Sequence, residues 1–434
     1  MNNQAALVAK LIVRLLSVSF LAGCGGRSQA PNNQPPPPAD NPTPTVDEVS
    51  PTSAKAGGAA FQLTVNGTNF GAGSIVRFGN VTLANASVSP TQLILTVPAV
   101  AIIAPGTAPI TVVNPPPGGG ASTPVDFTIG GGYSIEELGT VSTLPCCTDS
   151  NAWAIDSAGD VAGDLDDQAF LWVGGVMTDI GTLGVVSDAV GINTSYQIVG
   201  TWQPNGNDHA FLWQGGVWTD LGTFGGTTAS AYGINESGDV VGSATLKTGE
   251  GHAFLWRRGV MTDLGTLPGA TNSEALAINA SGHVVGDSGT AGGVNHAFLW
   301  KDGVMTDLGG RAGAYSIAEA INSLDQVVGT SNGHAVLWAN GVMQNLGMFQ
   351  GLPTVARGIN TAGVIVGQND DPNTDDAAVA FVYTNGVMVP LNDLITPSDW
   401  SIATAAAIND AGQIVGYGLR SSDSHLHAYR LDPK

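Results

Sequence analysis

Side-chain oxygens are the first place where this sequence offers chemistry. Asp371, Asn373 and Asp375 alternate along "DPNTDDAA" (371–378), and oxygens at every second position can wrap a hard cation such as Ca²⁺. A full calcium loop also carries glycine at its sixth position and glutamate at its twelfth, where this chain has Asp376 and Val382. A solvated acidic loop is the alternative. Further carboxylates, Asp208, Glu250, Asp287, Asp393 and Asp399, fall in stretches rich in Gly, Asn, Thr and Ser. Two carboxyl groups about 5 to 9.5 Å apart can hydrolyse a glycosidic bond, and sequence spacing does not show which pairs come that close. Trp202 and Trp400 fall in similar stretches, where an indole can stack on a sugar or cap a protein core. His209, His252, His296, His334 and His427 recur at one equivalent place and invite the idea of a metal centre. The chain has three cysteines, Cys24 and the adjacent pair Cys146 and Cys147. A vicinal disulfide between neighbours is strained, although an oxidising compartment permits it; free or packing thiols are the other state.

Composition narrows the partners. Acids outnumber bases 35 to 14, for a net charge of −21, which excludes a phosphate backbone as an expected partner. Either a soluble extracellular surface or cation binding can account for the surplus. With 60 Gly and 24 Pro, turn-rich β structure is expected rather than long helices.

The elements that must position these residues repeat. "HAFLWQGGVWTDLG" (209–222), "HAFLWRRGVMTDLG" (252–265) and "HAFLWKDGVMTDLG" (296–309) are near copies, with weaker ones at 168–172, 334–338, 380–383 and 427–431. A second phrase, "INESGDVVG" (234–242), also has seven versions. The period of about 43 residues is the size of one four-stranded propeller blade. Asn235 and Gly238 fit a type I turn between strands one and two, "HAFLW" is a third strand and "VMTDLG" a fourth. Both faces of "HAFLW" are apolar, so each blade is expected to be buried on both sides. The last copy ends at its third strand, "HAYRLDPK", while an orphan fourth strand, "YSIEELGTV" (133–141), precedes the first copy. The spare strand supplies the missing one, and a closed ring of seven blades follows. On such a ring the recurrent histidines diverge radially and cannot share one ion, leaving structural hydrogen bonding as their role. "GDSG" (286–289) resembles the nucleophile motif of chymotrypsin-like proteases, but no histidine and aspartate complete a triad around it. Variable stretches between strands two and three, and between blades, all fall on one face, which is the expected binding face.

Three stretches resemble known families. "Leu21-Ala22-Gly23-Cys24", after Lys10, Arg14 and a short apolar run, resembles the lipobox of bacterial lipoproteins. That resemblance implies a signal peptide over 1–23, lipidation of Cys24 and, with Gly25 following, the outer membrane. A Pro-rich tether spans 24–44. "VSPTSAKAGGAAFQLTVNGTNF" (49–70), "SIVRFGN" and "TVVNPPPGGG" resemble the IPT/TIG family, implying an immunoglobulin-like sandwich over 45–129 that serves as spacer or interaction module. Its alternating Phe61, Leu63, Val65, Phe70, Val76 and Phe78 read as core. The repeats over 133–434 resemble the HAF family of bacterial extracellular repeats.

The expected fold is therefore all-β: an immunoglobulin-like IPT/TIG sandwich followed by a seven-bladed β-propeller. The expected function is a monomeric, lipid-anchored surface protein, non-catalytic, without a required cofactor, that binds a glycan or another extracellular macromolecule. A purely structural surface protein and a polysaccharide-active enzyme are the alternatives.

Overall fold

In the computed structural model, residues 40–139, 149–181, 186–369, 378–395, 399–422 and 425–434 are described. Cys24, Cys146, Cys147, Asp371, Asn373 and Asp375 lie outside them. Alternation builds the first domain: Leu63 and Val65 of strand Phe61–Thr68, Leu93 and Leu95 of Gln92–Val97, and Val76 and Phe78 of Ile75–Phe78 all turn inward and are buried. Phe70 joins them, while Phe61 is half-buried and stacks on Phe127 at 5.6 Å. One sheet runs Thr45–Ser50, Phe61–Thr68, Gln92–Val97, Asn85–Val88. The facing sheet runs Ser53–Lys55, Val125–Gly130, Gly106–Asn114, Ile75–Phe78, Val81–Leu83, with Gly120–Ala121 added beside Gly106–Asn114. Two facing sheets over one apolar core make the sandwich.

Seven four-stranded antiparallel sheets follow. Six are meanders in chain order, blades one to six, over residues 150–179, 187–220, 225–265, 273–307, 316–347 and 354–390. Blade seven takes three strands from Trp400–Ile408, Ile414–Arg420 and Leu426–Pro433. Its outer strand is Tyr133–Glu137, paired antiparallel from Tyr133 opposite Pro433 to Glu137 opposite Tyr429. The ring thus closes through the spare strand.

Each repeated phrase has a physical task. In "HAF", the alanine and phenylalanine go inward: Ala210, Phe211, Ala253, Phe254, Ala297 and Phe298 are fully buried. In "VVG", the glycine passes under the carbonyl of the neighbouring inner strand. A Cβ at Gly286 would lie 1.9 Å from the Glu274 oxygen, and one at Gly200 would lie 1.8 Å from that of Asp188. The histidine pairs across to the aspartate of "TDLG": His209 to Asp220 at 2.8 Å, His252 to Asp263 at 3.0 Å, His296 to Asp307 at 3.0 Å. That aspartate also accepts the N–H of the glycine two residues on, as Asp263 does from Gly265 at 2.8 Å. In blade seven the closing strand supplies the acid, Glu137, 3.0 Å from His427. These histidines hold strand three to strand four, as their radial spread required.

The "IN" asparagine ends the inner strand. Asn235 Oδ1 accepts the N–H groups of Ser237 and Asp239, both at 3.0 Å, and Gly238 takes the positive φ (77°) that the turn demands. The side chain's Nδ2 donates to the carbonyl of the next blade's asparagine, here Asn279 O at 3.2 Å. Serines at the start of the inner strands add a second stitch between blades, as Ser273 Oγ accepts Ala253 N at 2.9 Å and donates to Gly265 O.

The sandwich core continues into the propeller. Leu63, Ile102 and Phe127 belong to one apolar cluster with Val366, Val382, Leu394 and Ile402 of blades six and seven and the segment joining them. Asn385 Nδ2 donates to Gly57 O at 3.2 Å across that junction.

Candidate functional site

Around the axis, the residue two places before the isoleucine that ends each inner strand is the one the repeat leaves free. It is Trp153, Val190, Tyr232, Leu276, Glu319, Arg357 and Ala406 in blades one to seven. With Gln368, Thr404 and Tyr417, these side chains enclose a cavity of about 420 Å³. It opens on the face that carries the second-to-third and fourth-to-first connections. Two residues further along each inner strand the repeat is strict again. Ile155, Ile192, Ile234, Ile278, Ile321, Ile359 and Ile408 form a collar, beyond which a second cavity of about 290 Å³ lies among the tight turns.

The first cavity mixes flat apolar faces with fixed polar groups. Trp153 meets Tyr417 edge-on at 5.6 Å and donates its Nε1–H to Asp164 Oδ1 at 2.5 Å. Asn151 also donates to Asp164, at 3.1 Å. Arg357 and Glu319, on adjacent blades, form an ion pair at 3.2 Å. Gln368 Oε1 is buried and has no hydrogen-bond partner.

Acids surround this mouth. Burial pushes the Asp188 carboxyl up to about 6, and the charges of Asp164, Asp167 and Asp208 act in the same direction. Asp287 is also pushed up to about 6, by burial first and by Glu274 and Glu319 after it, against a hydrogen bond from Asn295. Glu274 stands directly opposite Asp287 across the strand pair, and like charges so placed repel. Burial raises Glu274 as well, and Tyr232 is raised by burial and then by the charge of Glu274.

Of the residues singled out in the sequence, the structure brings Asp287 and Asp208 to this end of the axis. Asp208 accepts from Gln203 at 2.7 Å and contributes to the field on Asp188. Glu250 is exposed, and a hydrogen bond from Thr248 holds it below the usual carboxylate range. Asp393 is exposed in the short turn Leu391–Leu394. Asp399 is held by Arg420 at 2.7 Å, which lowers its pKa, and joins no shared site with the others.

The two tryptophans need correction in place. Both lie at strand ends rather than in loops: Trp202 closes Ile198–Trp202 and Trp400 opens Trp400–Ile408. Trp202 stacks on Trp218 at 5.3 Å, and its Nε1 is buried without a partner. Trp400 lies edge-on to Tyr429 at 6.1 Å, with the Arg420 guanidinium 5.7 Å from its ring centre. Each indole covers the end of its own blade, because the strand runs beyond the repeated phrase that marks it. Ser288 of "GDSG" is buried, donates to Asn272 O at 3.0 Å and accepts Leu267 N at 3.0 Å, so it is a loop anchor and not a nucleophile. Among the described residues, no group of three or more His, Cys, Asp or Glu could hold a metal ion.

Sequence reasoning passed over Trp153, Tyr232, Glu319, Arg357 and Tyr417. For the first four the available signal was a single variable position inside an otherwise uniform strand, between the constant alanine and the constant isoleucine; Tyr417 stands one residue past "IVG" on the next strand.

Residues 44–129 match the IPT/TIG domain model. No curated protein matches the chain. Among solved structures, the chain is similar to an auxiliary nutrient binding protein from Bacteroides thetaiotaomicron (12% identity, 90% of this chain and 98% of that one, TM-score 0.36). It is also similar to TolB from Acinetobacter baumannii (10%, 56% and 63%, TM-score 0.37) and to a gluconolactonase from Xanthomonas campestris (12%, 55% and 83%, TM-score 0.34). These proteins differ among themselves in what they do, and at such scores none of it transfers. Among the described residues, no helix is long and apolar enough to cross a membrane.

Proposed function

We propose that this chain is a lipid-anchored surface protein, attached through Cys24, whose propeller binds a glycan in the cavity at the loop end of its axis. The observation that carries this reading is the cavity of about 420 Å³ lined by Trp153, Tyr232 and Tyr417 together with the Glu319–Arg357 pair. Aromatic faces suit the apolar face of a sugar ring, while paired charges and amides fix hydroxyl groups. The isoleucine collar narrows the far side, so a ligand enters from the loop face and stops at mid-axis. The sandwich serves as a spacer that presents the ring, and binding leaves the ligand intact. Calcium at Asp371, Asn373 and Asp375 is not required by this reading.

A second reading, polysaccharide cleavage, draws on one observation: Asp287, raised to about 6, sits opposite Glu274, and a raised carboxyl beside a second one is the arrangement of a glycosidase acid. One experiment separates the two. The purified full chain is presented with immobilised polysaccharides and cell-wall fragments, and both retention and released reducing ends are measured. We expect retention without release, a loss of at least about tenfold with Trp153→Ala or Arg357→Gln, and none with Arg258→Asn on the opposite face. A loss of about tenfold corresponds to about 1.4 kcal/mol. Release of reducing ends that stops with Asp287→Asn would establish the enzyme instead. Retention of none of the ligands would leave a structural surface protein.

A further inference from the structure

The asparagine belt of the ring has one member of different chemistry. Asn193 Nδ2 donates to Asn235 O at 3.0 Å, Asn279 to Asn322 O at 3.1 Å, Asn322 to Asn360 O at 3.0 Å and Asn360 to Asn409 O at 3.3 Å. Together with Asn235, and with Asn409 donating to Asp156 O at 2.9 Å, six of the seven seams between blades are tied in this way. In blade one the position is Asp156. Its Oδ1 accepts Ala158 N at 2.8 Å and Asp160 N at 2.9 Å, as the asparagine oxygens do in their own turns. Oδ2 therefore occupies the place of the amide nitrogen, next to the carbonyl of Asn193. It is buried and has no hydrogen-bond partner. An ionised carboxylate there would set two acceptors against each other in a site closed to water, which is costly.

Among the described residues, the surroundings offer no compensating cation. The belt asparagines Asn193, Asn322 and Asn409 give their second amide proton to a glutamine four residues on, at 2.8, 2.8 and 2.7 Å. Blade one has Asp160 at that place, another acid. Across the seam with blade two, Tyr196 faces the turn. Glu236 and Asp410 line the same end of the axis. On the blade-seven side, Arg430 donates to Gly159 O at 3.1 Å, but its guanidinium is bound to Glu136 at 3.0 Å and Asp432 at 3.2 Å.

We propose that Asp156 is protonated in the closed ring and donates its proton to the Asn193 carbonyl, so that the seam between blades one and two is the belt seam that a change of pH can loosen. Burial first, and the charge of Asp160 as well, raise this carboxyl above its ordinary value, against the N–H groups of its own turn. The sign follows from linkage. A carboxyl raised on folding contributes stability that is fully present below its unfolded value of about 3.9, and this is lost as pH rises through the folded value. Acid tightens the seam and alkali loosens it.

Thermal melting of the purified full chain against pH tests the proposal, with wild type, Asp156→Asn and Asp156→Ala compared at each pH. Other titrating carboxyls are common to all three proteins and cancel in the differences. Asp156→Asn restores a permanent donor. It should melt with wild type near pH 4 and about 1–3 °C above it near pH 8. Asp156→Ala has no donor at any pH. It should melt below wild type near pH 4, with the gap narrowing as pH rises. A pH-independent difference between wild type and Asp156→Asn would overturn the proposal. So would an asparagine variant that melts lower near pH 8 or fails to fold.

Discussion

Asp287 shows how much a single position at the channel mouth carries. It is buried, faces Glu274 and is pushed up to about 6, so folding favours its protonated form relative to the unfolded chain. Its contribution to stability is complete below the unfolded value of about 3.9 and is lost as pH rises through about 6. Asp287→Asn keeps an acceptor for Asn295 and removes the charge. We expect the variant to exceed wild type by about 2 kcal/mol near pH 8 and to match it near pH 4, read from denaturant midpoints at the two pH values. Equal midpoints near pH 8 would show that the charge is already neutralised. The sequence had drawn attention to Asp287 as a loop acid, but not to Glu274, Glu319 or Arg357. The reason is physical: which acids share a cavity depends on which strands line the axis, and adjacent blades bring together residues about 43 positions apart.

At the level of elements, the repeated phrases translate directly into contacts, and for that reason the architecture was legible. Strict positions are those where an atom has nowhere else to go. A methyl group at Gly286 would lie 1.9 Å from the Glu274 carbonyl, so Gly286→Ala should lower stability by about 3 kcal/mol or more; a variant within about 1 kcal/mol of wild type in denaturant melts would mean the two strands part easily. The spare strand was legible from "ELGT" matching "DLGT", and Tyr133–Glu137 indeed completes blade seven. Deleting it leaves Leu426–Pro433 as a bare edge, and His427 and Arg420 lose their partner Glu137. The expected outcome is association through that edge and a broadened melting transition, followed by sedimentation and calorimetry. A monomeric deletion variant with unchanged melting would contradict a structural role for the strand. The ends of strands were less legible. Trp202 and Trp400 looked like loop residues because glycine, asparagine and proline crowd close to them, yet aromatic packing onto the blade ends extends the strands to include them.

For the molecule as a whole, the apolar cluster shared by the sandwich and blades six and seven means that the two domains meet over a packed junction. Attachment is proposed to lie upstream of both. Labelled fatty acid supplied to cells should appear in the mature protein and be absent from Cys24→Ala, and an unlabelled wild type would remove the anchor from the proposal. The closing strand also makes completion of the ring depend on residues far apart in the chain. Ser134 bonds to Asp432, 298 residues later, so the ring closes only when the two ends of the propeller meet. Without that pairing, Tyr133–Glu137 and Leu426–Pro433 are both left as unpaired edges. Such edges recruit other chains. A copy with an open ring therefore has to be kept apart from its neighbours until Tyr133–Glu137 pairs with Leu426–Pro433.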